Sequence, residues 1–339
     1  RRSSDLVLRT DGDVVGVAVV DAGGVRGDPV PEVDNDGGDA GVGTGGVRKL
    51  RWGRQSTGKS GGVRVTKVGF MRSILITGCS SGIGYDAAHA LKARGWRVFA
   101  TCRQQGDCDR LIGEGLESFP LDYASEDSIA AAVAETLSRT GGTLDALFNN
   151  GAFACPGAVE DLPRGALREI FETNLFGYHD LTRRVIPAMR QQGHGRIVNC
   201  SSVLGIVGAK WRGAYVSTKF AMEGLSDVLR FEMAGTGIDV ILIEPGPIGT
   251  LIRQNAIPHF EKWIDWENSA RRDDYTRLRS RLYENRGPDP FELPPEAVTR
   301  ALVKALESPR PKARYYVTFP THLMALLRRI LPTRALDWL

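Results

Sequence analysis

Cysteine is scarce and unpaired in pattern. Five occur (Cys79, Cys102, Cys108, Cys155 and Cys200), an odd number with no C-x-x-C. That argues against a disulfide framework and reads as reduced thiols in a cytoplasmic protein. The five histidines stand at no metal-ligand spacing from them, so no metal is expected. No run of about 18 apolar residues occurs, which leaves no reading as a membrane-spanning helix. Neither sign of charge dominates: the formal net charge is +4. With no basic stripe interleaved with aromatics, a nucleic-acid partner is not expected.

Aromatic residues are nearly missing from the first seventy positions, which hold only Trp52 and Phe70. That stretch is rich in Gly, Val, Asp and Arg, shows no sustained helical period, and buries too little to offset its ordering entropy. It also lacks the continuous apolar core of a signal peptide. The expectation is that the native chain starts at Met71 and that residues 1–70 are a mis-assigned extension; the alternative is a disordered leader. Gly53-Arg54-Gln55-Ser56-Thr57-Gly58-Lys59-Ser60 fits G-x-x-x-x-G-K-S by letter. A phosphate-cradling loop needs a buried strand before it and a helix after it, and neither context is present.

What the chain does have begins at residue 74. The apolar run Ile74-Leu75-Ile76 reads as a buried parallel strand. Thr77-Gly78-Cys79-Ser80-Ser81-Gly82-Ile83-Gly84 follows it, and a helical stretch closed by Gly95 comes next. Glycines on a strand-to-helix turn permit a tight backbone and a pyrophosphate close to the helix N-terminus. Further on, Tyr215 and Lys219 stand four apart, on one helix face, with Ser202 thirteen residues upstream of the tyrosine. Free tyrosine has a pKa of about 10, and a neighbouring cation favours the phenolate. The pair is therefore a candidate general acid/base.

T-G-x-x-x-G-I-G followed by S, Y and K in that order resembles the short-chain dehydrogenase/reductase family. The resemblance runs from about Met71 to at least Val317. Asp122 matches the acid that meets the adenine. Asn149-Asn150-Gly151-Ala152 stands where the family reads N-N-A-G, so the role of Gly151 is open. Asn174 matches the asparagine completing a catalytic tetrad with Ser202, Tyr215 and Lys219. Pro245-Gly246-Pro247-Ile248-Gly249-Thr250 matches the segment flanking the nicotinamide, through Pro245, Gly246, Ile248 and Thr250. The resemblance implies cofactor contacts from Gly78, Ser80, Ser81, Gly82, Ile83, Gly84, Asp122, Asn149 and Gly151, and from Tyr215 and Lys219. It further implies that Tyr215 exchanges a proton with the carbonyl oxygen and that Ser202 polarises that oxygen. Lys219 lowers the phenol pKa and holds the nicotinamide ribose, and Asn174 holds a water. The sequence is also similar to bacterial members related to retinol and 17β-hydroxysteroid dehydrogenases.

From Met71 the pattern alternates strand and helix, which argues for an α/β fold. The expectation is a single Rossmann-type, doubly wound parallel sheet of about seven strands with helices on both faces. Strands are expected at about 72–77, 97–102, 117–121, 144–149, 196–201, 239–244 and 314–318. Helices are expected at about 83–94, 126–139, 164–191, 214–234 and 295–307. The catalytic domain is then 71–339, with its ligands at the carboxyl ends of the strands.

The second strand ends at Cys102-Arg103. An NAD site wants an acid there for the ribose hydroxyl, whereas a guanidinium suits a 2′-phosphate. NADPH is thus preferred over NADH. Residues 251–293 bring Phe260, Trp263, Trp266, Tyr275, Tyr283 and Phe291 to the place where the family carries its substrate lid. These aromatics read either as cover for a bulky hydrophobic carbonyl or alcohol (a retinoid, a steroid or a long-chain aldehyde) or as ordinary helix packing. The apolar end Leu323–Leu331, with adjacent arginines, lies on a membrane surface, against a second subunit or on its own core. A catalytically silent NADP sensor and a sugar-nucleotide epimerase or dehydratase remain as readings from other classes.

Overall fold

The computed structural model describes residues 5–10, 13–19, 71–284 and 287–338. The chain divides into two compact units, Arg1–Val65 and Thr66–Leu339. In the first, β1 (Asp5–Thr10) pairs antiparallel with β2 (Asp13–Val19). Val14, Val15, Val17 and Val19 supply β propensity there, so the expectation of a stretch without regular structure does not hold for these two runs. The rest of that expectation, and the Gly53–Ser60 segment, lie outside the described residues.

The second unit is built on seven parallel strands: β3 (Ser73–Ile76), β4 (Arg97–Cys102), β5 (Glu117–Pro120), β6 (Ala146–Asn149), β7 (Gly195–Cys200), β8 (Ile238–Glu244) and β9 (Arg314–Tyr316). Their order is β5-β4-β3-β6-β7-β8-β9. The order reverses between β3 and β6, which opens a crevice at their carboxyl ends where ligands bind in doubly wound sheets. The helices are α1 (Gly82–Ala93), α2 (Gln105–Gly113), α3 (Glu126–Thr140), α4 (Arg164–Phe171), α5 (Gly177–Gln192) and α6 (Gly213–Glu232). After them come α7 (Ile252–Asn255), α8 (Ile257–Trp263), α9 (Arg272–Tyr283), α10 (Glu296–Glu307), α11 (Phe319–Ile330) and α12 (Thr333–Leu336).

The strands are apolar throughout because both faces are covered. On one face, α1, α2 and α10 bring Ala87, Leu91, Leu111, Val298 and Leu302 onto Ile74, Ile76 and Val98. On the other, α3, α5 and α6 bring Ile129, Leu181, Val185 and Met222 onto Leu75, Phe99 and Leu147. Each such fully buried side chain contributes about 1.5–3 kcal/mol. Replacing Leu75 with alanine is therefore a change of about 2–5 kcal/mol, once the cavity it leaves is included.

Strand ends fall within two residues of expectation. The helix expected at 164–191 is interrupted by a π-turn over Glu172–Phe176. Packing requires the break: Asn174 is held by the Phe153 backbone, and a Cβ on Gly177 would lie 2.5 Å from that of Tyr123. Helix α2 escaped the sequence pattern because it buries only Cys108 and Leu111.

Candidate active site

The floor of the crevice is two glycine turns pressed together. Gly78 lies at φ +68°, and a Cβ there would sit 2.5 Å from the Gly151 Cα. A Cβ on Gly84 would strike the Gly78 carbonyl oxygen and come within 2.8 Å of the Asn150 Nδ2. Gly151 is thus the surface against which the first turn closes, which answers the question left by the N-N-G-A order. Thr77 fastens the two turns: its hydroxyl accepts from the Asn150 N–H at 2.9 Å and the Gly151 N–H at 3.2 Å. Asn150 returns the tie, donating its Nδ2 to the Thr77 carbonyl at 3.0 Å.

The side chain of Asn149 is buried, with its hydrogen-bonding capacity used inside the protein. It accepts from the Tyr123 hydroxyl at 2.8 Å and donates to Thr182 at 3.0 Å and Asn199 at 2.9 Å. Thr77, Tyr123 and Asn150 were not singled out as site residues in the sequence. Their role is to hold glycines in place, which carries no spacing signature of its own.

These residues fit a dinucleotide. Ser81 is the N-cap of α1 and makes no side-chain capping bond, and the first turn holds no acid. The backbone N–H groups there are left for an anion such as a pyrophosphate. Ser80 is exposed on this turn, and Ile83 packs its side chain onto the core. Arg103 is exposed just beyond β4 and makes no hydrogen bond or ion pair among the described residues. Asp122 is half-buried past β5; one of its carboxylate oxygens accepts from the Ala124 N–H at 3.0 Å. From the opposite side, Thr250 reaches the first turn, its Cγ2 lying 3.1 Å from where a Gly82 Cβ would be. Gly246 packs against Thr318, while Pro245 accepts from the Val203 N–H at 2.7 Å. Ile248 bridges to Leu293.

Ser202, Tyr215 and Lys219 come together at the ends of β7 and α6. The Ser202 Oγ accepts from the Leu204 N–H at 3.1 Å, and the side chain acts on the Tyr215 phenol. Lys219 is 1% exposed; its Nζ donates to the Cys200 carbonyl at 2.7 Å and lies 5.4 Å from the Tyr215 ring centre. Burial lowers the Lys219 pKa to about 8, against the raising influence of Glu223. Tyr215 keeps part of its surface exposed, yet the protein around its phenol raises that pKa well above the usual value.

Ser202 and the charge of Arg212 act in the opposite direction on the phenol, against its burial. Asn174 is buried on the π-turn, its amide donating to the Phe153 carbonyl at 2.8 Å and accepting from the Phe153 N–H at 3.1 Å.

The aromatics of 251–293 do not act as one. Phe260 and Tyr275 are buried in a third cluster with Cys155, Ala158, Ile264 and Leu278. The Tyr275 hydroxyl donates to Asp161 at 2.8 Å and accepts from the Ala158 N–H at 2.8 Å. Trp263 and Trp266 flank that cluster, whereas Tyr283 is 45% and Phe291 63% exposed. The expected apolar end of the chain lies largely within α11, which buries Thr321 and Ala325. Among the described residues no helix is long and apolar enough to cross a membrane.

Comparison with known proteins gives the same answer as the geometry. The family model described as short chain dehydrogenase matches residues 72–260. The chain is similar to the uncharacterized oxidoreductase YbbO of Escherichia coli, with 39% identity across 78% of this chain and 93% of that protein. It is 33% identical to human retinol dehydrogenase 8, across 72% of this chain and 80% of the relative. Among solved structures it resembles the actinorhodin polyketide ketoreductase with NADPH. That match has a TM-score of 0.60 and 28% identity, and covers 73% of this chain and 95% of the other. The chain belongs to the short-chain dehydrogenase family, and is an oxidoreductase that interconverts carbonyl and alcohol groups with a nicotinamide dinucleotide.

Proposed function

We propose that this protein is an NADPH-dependent reductase of bulky, apolar carbonyl compounds, with Asn174, Ser202, Tyr215 and Lys219 as its catalytic group. The observation that carries the reading is the buried, backbone-anchored Lys219, whose Nζ lies 5.4 Å from the centre of the Tyr215 ring. When bound, NADPH supplies the hydride. Tyr215 gives its phenolic proton to the carbonyl oxygen. Its raised pKa keeps that proton in place at neutral pH, which suits reduction better than the reverse reaction. The Ser202 Oγ accepts from the Leu204 N–H, and its O–H can donate to the same substrate oxygen. Lys219 holds a positive charge below about pH 8, close to the ring it supports. Asn174 braces the Phe153 backbone that borders the site.

Arg103 supports the choice of NADPH, since an exposed guanidinium without a partner suits a 2′-phosphate and Cys102 cannot replace the acid an NAD site needs. The exposed apolar side chains of the segment after the β8 turn, Leu251, Ile252 and Leu293, support a hydrophobic substrate. The test is nicotinamide absorbance loss with the full chain across retinal, long-chain aldehydes, ketosteroids and small ketones, with NADPH and NADH in parallel. Faster turnover of the bulky apolar carbonyls with NADPH is expected. A preference for small ketones, or for NADH, would contradict the reading.

A further inference from the structure

The last long helix turns its apolar side outward. Helix α11 buries Thr321 and Ala325, both small. Phe319, Leu326 and Ile330 on the same helix are 61%, 57% and 64% exposed, and Leu323 is half-buried. Positions 319, 323, 326 and 330 follow one another at steps of four, three and four, which is one face of a helix. A surface helix ordinarily buries such a stripe and gives its polar side to water. Here that order is inverted. Single exposed apolar side chains are common, but a continuous row of them marks an interaction surface.

The row continues off the helix at both ends. The Phe319 ring lies 5.5 Å from the ring of Phe291, itself exposed on the 251–293 segment. Thr318, the N-cap of α11, packs against Gly246 of the Pro245–Thr250 segment. At the other end α12 packs against α11, and Trp338 just beyond it is 91% exposed. The charge here has one sign: residues 317–336 hold Arg328, Arg329 and Arg334 and neither Asp nor Glu. Arg328 is engaged, its guanidinium 4.9 Å over the Phe220 ring and donating to the Ile206 carbonyl. Arg329, at the margin of the stripe, and Arg334 are exposed and make no hydrogen bond or ion pair among the described residues.

We propose that the outward stripe of α11, with Phe291 at one end and Trp338 at the other, seats the protein on the surface of an anionic phospholipid bilayer. The apolar row enters the boundary between headgroups and acyl chains, and the helix lies in the plane of that boundary. Arg329 and Arg334 meet the headgroup phosphates, and an exposed tryptophan suits the same depth. A second copy of the chain fits this face less well. It would set the same arginines against one another, with no acid in residues 317–336 to receive them. Seated in this way, the protein holds Phe291 of the lid and the Pro245–Thr250 segment beside the lipid, where an apolar carbonyl concentrates.

The test is flotation of the full chain with vesicles of phosphatidylcholine alone and of an equal mixture of phosphatidylcholine and phosphatidylglycerol. Native protein is expected to bind the anionic vesicles about tenfold or more tighter than the neutral ones, a preference that fades as salt is raised. Leu326→Gln with Ile330→Gln lowers binding to the anionic vesicles about tenfold or more, as loss of buried apolar area predicts. Arg329→Gln with Arg334→Gln removes the preference for anionic lipid. All four side chains are exposed, so both variants keep the native Tm and NADPH affinity. Val228 and Phe231, exposed on α6, give the comparison: Val228→Gln with Phe231→Gln leaves vesicle binding unchanged, and an equal loss there overturns the proposal. Absence of native binding to anionic vesicles overturns it, as does binding that survives Leu326→Gln with Ile330→Gln. A native dimer that this variant dissolves in the ultracentrifuge, without vesicle binding, gives the face to a second copy and overturns it too. Vesicle binding needs no turnover, so its loss leaves the reductase reading standing, and an inactive chain that still binds keeps the lipid surface.

Discussion

The two walls of this site are made from different material. The wall formed by the β3–α1 and β6 turns is glycine against glycine: a Cβ on Gly78 would stand 2.5 Å from the Gly151 Cα, and Thr77, Tyr123 and Asn150 tie the turns with buried hydrogen bonds. The wall formed by α7, α8 and α9 is held by a separate apolar cluster and by arginine–carboxylate pairs, with Tyr283 and Phe291 left in solvent. The first tolerates no added atom. The second is packed by side chains rather than by backbone, and its chemistry lies in which charges it presents. On the proposed reading, cofactor binding uses the fixed backbone of the first wall and substrate choice the side chains of the second.

The contrast breaks most sharply at the residues between the walls. Lys219→Met is expected to lower kcat for carbonyl reduction about a hundredfold or more, the lower part of the range for general acid–base groups. The pH profile should change with it. The Lys219 ammonium is lost as pH rises through about 8, so reduction by the native protein falls above that pH. The variant shows no such step. A profile flat to pH 10 in the native protein would separate the lysine from catalysis.

Next comes the glycine wall. Gly84→Ala places its Cβ on the Gly78 carbonyl, an overpacking that costs about 1–3 kcal/mol. The expected outcome is a lower Tm with cofactor affinity reduced about tenfold or more, measured by thermal unfolding and fluorescence titration. An unchanged Kd would show that this wall yields more than its contacts allow. At its outer edge, Arg103→Ala should raise KM for NADPH about tenfold while leaving NADH nearly unchanged, the cost of one charge-assisted phosphate contact. Equal effects on the two cofactors would refute the role of Arg103.

A smaller effect is expected behind the site. Burial and the neighbouring Glu223 raise the Glu244 pKa to about 8, opposed by Arg314 at 3.1 Å. Its folded-state pKa lies above its unfolded value, so stability is greatest while it is protonated and falls as pH rises toward 8. Glu244→Gln should flatten that loss, seen as a Tm that varies less between pH 5 and pH 8 than in the native protein. Smallest of all, Phe291→Ser on the lid should change stability by no more than about 0.5 kcal/mol, since the ring is 63% exposed. A large drop in Tm would mean that the lid wall is as closely built as the glycine wall.

The sequence made the first wall legible because its physics demands particular residues. Only glycine fits Gly78 and Gly84, and a parallel strand buried on both faces must be apolar, as Ile74-Leu75-Ile76 is. Ser202, Tyr215, Lys219 and Asn174 stand in the expected elements, because a helix fixes what lies four residues apart. What escaped was whatever depends on distance in space alone. Tyr123 reaches Thr77 across 46 positions, and Arg253 pairs with Asp289 across 36. The fate of the lid aromatics also required the fold: Phe260 and Tyr275 pack inward, and nothing in their spacing distinguishes them from Phe291. The π-turn at Asn174 was hidden for a similar reason, since a side chain bonding to a backbone twenty-one residues away forces it.

The most direct test of Tyr215 as the proton donor is a single-turnover reduction by the full chain preloaded with NADPH, comparing native protein with Tyr215→Phe on the best aldehyde of the panel. The variant should bind NADPH with unchanged affinity and lose about 10²–10⁴ in the rate of nicotinamide oxidation, the span expected for a positioned general acid. A variant that oxidises bound NADPH within a few-fold of the native rate would contradict the assignment of Tyr215 and the mechanism built on it.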